Sequence, residues 1–116
     1  MQMNNKEELI MCFPPNLRED VQVVIDKLKI KDEDIHTRIY NVKINDILLT
    51  LPERIYFSEP ASGNLTIIQK YILDCIFTRH DDGFIRQKHL RNLLFCTEYW
   101  IIPFCFRLLG EYVKDI

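Results

Sequence analysis

A single alanine, Ala61, and three glycines are spread over 116 residues, and that scarcity excludes a good deal. Walker A loops, dinucleotide fingerprints and G-x-S-x-G elbows all need more closely spaced glycine than this chain supplies. No run approaches the roughly 18 apolar residues of a membrane span. None of the four cysteines, Cys12, Cys75, Cys96 and Cys105, forms a C-x-x-C pair. The nearest metal-like spacings, Cys75-x₄-His80 and His89-x₆-Cys96, do not make the two close pairs of a structural zinc site. An excess of positive charge is also lacking. Fifteen basic residues face seventeen acidic ones for a net charge of −2, which disfavours generic binding to a phosphate backbone. The stretch Met1 to Leu9 is polar and acidic and does not read as a signal peptide. These absences lead us to expect a cytoplasmic protein with reduced thiols, no membrane segment and no cofactor.

What is present is ordinary globular material, 47% hydrophobic and 28% charged, of a length that suits one domain spanning 1–116. Leu17, Val21, Val24, Ile25 and Leu28 form one apolar helical stripe ending near Ile30, with Asn16 as N-cap and Glu19 closing a capping box. Ile35, Ile39 and Val42, then Ile44, Ile47, Leu48 and Leu51, continue with helical spacing. The run 39–44 also alternates, so a short strand is the alternative there. Pro52 closes this region, and the loop-like segment 52–63 is the candidate seam. Beyond it, Leu65, Ile68, Ile72, Cys75 and Ile76 predict a helix from near Asn64 or Thr66 to near His80. A second follows over 84–95 with Ile85, Leu90, Leu93 and Leu94 inside. A third is opened by Thr97 and Glu98, and Pro103 delays its regular part to near Ile102. The expected fold is all-α: five or six short helices in one compact bundle, the last three packed as an array.

Two stretches suggest chemistry. A helix ending in His80-Asp81 resembles the HD-domain metal phosphohydrolases, which are all-α. That resemblance implies a divalent metal at His80 and Asp81, completed by an upstream histidine (here His36) and a downstream aspartate (here Asp115). Beside it stands the plainer assignment of a helix end, with Arg79 and His80 at the negative pole and Asp82-Gly83 making the turn. The basic segment Arg86-Gln87-Lys88-His89-Leu90-Arg91, behind a helix and a short turn, imitates a helix-turn-helix. Arg86, Gln87 and Lys88 would read bases there and Arg91 would touch phosphate. The mildly acidic chain weighs against nucleic acid.

Asp81-x-x-x-Ile85-Arg86, a leucine-rich helix, and Ile101-Ile102-Pro103-Phe104 running to Leu108-Leu109-Gly110 together resemble the D-x-x-x-V-R pattern of HEAT-type helical repeats over residues 64–116. The resemblance implies stacked helix pairs that present a surface to protein partners. Aromatic density points the same way. Phe104 and Phe106 diverge by about 200° around a helix and cannot both face one small core. Trp100, Phe106 and Arg107 are therefore the candidate interface, unless this helix is central and buried on most sides. We expect a non-catalytic protein-interaction or regulatory module. It would self-associate or, like small acidic immunity proteins, use carboxylates such as Asp20, Asp32, Glu33 and Asp34 to cover another protein.

Overall fold

A computed structural model describes residues 5–30, 39–61 and 63–114. Its elements run in the order α1 (Asn5–Ile10), a 3₁₀ turn (Pro15–Leu17), α2 (Arg18–Asp26), β1 (Ile39–Ile44), β2 (Ile47–Pro52), α3 (Ile67–Phe77), α4 (Gly83–Leu93), a second 3₁₀ turn (Tyr99–Ile101) and α5 (Ile102–Lys114). The all-α expectation is therefore corrected. The chain is a mixed α/β domain, not a helical bundle, and its two strands pair antiparallel with Ile39 opposite Pro52 and Ile44 opposite Ile47.

The hairpin forms because Asn45 and Asp46, with φ of 49° and 63°, both take the left-handed conformation of a two-residue turn. That turn matches the twist of the strands it joins, and short polar side chains tolerate it. Pairing then places Tyr40, Val42, Ile44, Ile47, Leu49 and Leu51 on one face. Leu49 and Leu51 there are buried. The same spacing over 44, 47, 48 and 51 had suited a helix, and the turn residues decide between the two.

The stripe of α2 lies in the core as its spacing requires, with Leu17, Val21, Val24, Ile25 and Leu28 all buried. Its capping differs from expectation. Pro14 and Pro15 launch a 3₁₀ turn, so Leu17 rather than Asn16 occupies the N-cap and no side chain caps the helix. The capping box is found instead on α3, where Thr66 and Gln69 exchange side-chain and backbone bonds. Gln69 also donates to Asp20 at 3.0 Å, tying α3 to α2.

The central element is α3, not the last helix. From Ile72 to Phe77 every residue is buried, and the buried side chains of both chain halves merge with it into one cluster. Helix α4 packs on α3. Helix α5 packs elsewhere: Phe104 stacks on Phe13 at 5.3 Å and Arg107 lies over Tyr40. The expected three-helix array is thus an α3–α4 pair with α5 laid against the hairpin. Segment 52–61 is fastened to the end of α3: Ile55 N–H donates to the Arg79 carbonyl and Asp81 N–H to the Ile55 carbonyl. Arg79, wholly buried, donates to the carbonyls of Pro52 and Glu53.

Candidate functional site

His80 is a joint in this fastening. Asp82 N–H points at its Nδ1 at 3.0 Å, which requires a bare nitrogen there, so Nε2 carries the proton and donates to the Phe57 carbonyl at 3.0 Å. Both nitrogens are engaged within the fold and neither is open to a metal. Arg86 Nη1 donates to the carbonyls of His80 and Asp81, and the Asp82 carboxylate caps α4 through Phe84 N–H. His36 and Asp115 lie outside the described residues. Among the described residues no group of three His, Cys, Asp or Glu side chains is placed to hold a metal ion.

A second histidine cluster went unanticipated. His89, buried on α4, sets Nδ1 2.7 Å from Asp74 of α3 and Nε2 2.7 Å from Glu59 of the 53–61 segment. Only the doubly protonated ring can donate to both carboxylates. Asn92 adds a bond to Asp74, Lys88 adds one to Glu59, and the ring stacks on Phe77 at 5.2 Å. Partial burial works to raise the Glu59 carboxyl. Hydrogen bonds from Lys88 and His89, helped by their charges, outweigh it and hold the group below its ordinary value. The cluster floors a cavity of about 430 Å³ between α3 and α4. Acid and imidazole are committed to each other, so the arrangement clasps a loop to two helices and offers no free base. Its one sequence signal is Asp74, a carboxylate inside the otherwise apolar stretch 71–77 of α3.

The thiols are equally quiet. Burial is the leading cause that pushes Cys12 and Cys75 far up, and it raises Cys96 and Cys105 as well. All four are free, and both ring nitrogens of His80 and of His89 face oxygen or a backbone amide.

The basic segment is divided by the fold. Arg86 folds back onto the turn, whereas Gln87, Lys88 and Arg91 are exposed beside Phe84 on the outer face of α4. Lys88 spends its charge on Glu59 at 3.0 Å. Of the acidic candidates, Asp20 holds Gln69, and Asp32, Glu33 and Asp34 lie outside the described residues.

The interface candidates separate as well. Trp100 is only 2% exposed and meets Phe13 edge-on at 5.7 Å, so it is core. Phe106 is 70% exposed, and with Ile102 (42%) and Leu109 (51%) it forms an i, i+4, i+7 stripe along the outside of α5. Arg107 sits between stripe and sheet, its guanidinium 3.3 Å from the Tyr40 ring centre. Between α5 and the sheet runs a groove of about 420 Å³, lined by Tyr40, Val42 and Ile44 on one side and by Ile102, Pro103 and Phe106 on the other. Phe84, Leu94 and Phe95 are also exposed, but they stand at the two ends of α4.

Compared with family models, curated proteins and solved structures, the chain matches none. No described helix is long and apolar enough to cross a membrane.

Proposed function

We propose that this chain is a non-catalytic interaction module that docks a protein partner across the outer face of α5 and the adjoining face of β1. The observation that supports it is the stripe Ile102, Phe106 and Leu109 beside an apolar groove. Single exposed apolar residues are normal. A contiguous set flanking a groove is the pattern of an interaction surface, and aromatic residues with arginine are enriched at the centres of such surfaces. The chemistry elsewhere fits a binding role, since the described histidines, His80 and His89, are engaged within the fold and the Cys12 and Cys75 thiols are buried.

A photo-cross-linking residue at position 106 tests this. Irradiated in the producing cells, it should yield a discrete adduct heavier than the 14.0 kDa chain, while the same probe at exposed Glu19 on α2 yields none. Free chain alone at both positions would overturn the proposal.

A further inference from the structure

We infer that the partner at this face is a second copy of the chain, joined by antiparallel pairing of β1 with its own copy. The inference rests on the docking face proposed above and names its occupant. It begins from the parity of the hairpin. A two-residue turn makes Ile44 and Ile47 a hydrogen-bonded pair, so Tyr40, Val42 and Ile44 direct their backbone groups at β2. Ile39, Asn41 and Lys43 then direct theirs outward. The far edge agrees: Thr50 N–H, outward by the same parity, donates to the Met11 carbonyl, and Pro52, which has no N–H, also faces out.

Among the described residues the sheet has two strands, and nothing pairs with the outer edge of β1. Natural sheets protect such edges with proline, bulges or several charges. This strand carries neither proline nor bulge and a single charge, Lys43.

Self-pairing satisfies the edge in one register that uses all three outward residues. A two-fold axis normal to the sheet through Asn41 sets Asn41 against its own copy and Ile39 against the copy's Lys43. Tyr40 then lies beside the copy's Val42, an aromatic and β-branched cross-strand pair of the favourable kind. The only charged side chain of the strand never meets itself. The two lysines are four residues apart along the strand, about 13 Å, which is beyond the screening length of about 8 Å at physiological salt.

The same axis leaves both α5 helices, each with its exposed stripe, on one side of the joined sheet. The exposed fractions of Ile39, Ile102, Phe106 and Leu109 amount to roughly 350 Å² of apolar side chain per copy, close to half the roughly 800 Å² that each partner of a stable interface buries. The strand backbone and the groove walls supply further area.

Light scattering on the purified full chain should give a mass near twice 14.0 kDa at about 100 μM. Asn41→Cys, placed on the axis at a separation that suits a disulfide, should form a covalent dimer under mild oxidation. Ile39→Lys, which sets lysine opposite lysine, should weaken the dimer at least tenfold. Ile39→Glu, which sets carboxylate opposite lysine, should retain it. Both position-39 variants should show the circular dichroism of the parent. A monomeric mass at that concentration overturns the pairing. So does a dimer that fails to cross-link through position 41, or one to which position 39 is indifferent. A monomer that still gives an adduct at position 106 would overturn self-pairing alone and leave the docking face standing.

Discussion

Replacing His89 with alanine removes a small amount of material from a site where three segments meet. In the folded chain its ring holds Asp74 and Glu59, each at 2.7 Å, and stacks on Phe77. Without it the buried Asp74 carboxylate keeps the Asn92 amide but loses its imidazole partner. Breaking a buried pair by deleting one partner costs about 3–5 kcal/mol. Glu59 is partly exposed and retains Lys88, so its share is about 0–1 kcal/mol. The sum is dominated by Asp74 and is large against a total stability of about 5–15 kcal/mol. With a urea slope of about 1.5 kcal/mol per molar for a small domain, the unfolding midpoint should fall by roughly 2–4 M. Trp100, the single tryptophan, is buried and reports the transition by its own fluorescence. Glu59→Gln, which touches only the exposed arm, should cost less than about 1 kcal/mol. A midpoint for His89→Ala within about 0.5 M of the parent, or one equal to that of Glu59→Gln, would refute this account of the clasp.

Three further outcomes are expected. The Glu59 carboxyl lies below its ordinary value of 4.5 when folded, so its contribution is complete above that pH and is lost as pH falls through the folded value. Urea midpoints of the parent and Glu59→Gln should therefore differ by a constant amount above about pH 5 and converge in more acidic solution; a gap that widens with acidity would contradict the sign. Asp46 holds a φ of 63°, so Asp46→Gly should be neutral or stabilise by up to about 1 kcal/mol, while Asp46→Val should cost about 1–2 kcal/mol in thermal unfolding. In a thiol titration of the native protein at pH 8, Cys12 and Cys75 should stay silent and Cys96 and Cys105 react more slowly than free cysteine. All four should react at once in denaturant.

Much of the helical framework could be read from spacing. The stripe from Leu17 to Leu28 marked α2, the start of α3 at Thr66 was one of two readings beside Asn64, and Pro103 placed the start of α5 near Ile102. The hairpin was obscured because Ile44, Ile47, Leu48 and Leu51 fit a helical period, and the deciding residues, Asn45 and Asp46, act through backbone conformation. Phe106 was legible as an outward residue because its neighbour Phe104 must point the opposite way. Trp100 was not, since it faces Phe13, far back in the chain, and such an approach leaves no local trace. The His89 clasp was hidden for the same reason, its partners lying 15 and 30 residues away. His80-Asp81 drew attention to metal chemistry, yet its imidazole is consumed by a backbone amide and a carbonyl that no two-residue motif encodes.

Residue-resolved amide hydrogen exchange along β1 reaches the docking face most directly. Tyr40, Val42 and Ile44 bond within the hairpin and should be protected at every concentration. If copies of the chain meet at this edge, the amides of Ile39, Asn41 and Lys43 should be protected as well at about 100 μM. They should lose that protection on dilution, or in Phe106→Asp. Outward amides that exchange as fast as loop amides at all concentrations, beside protected inward ones, would contradict it.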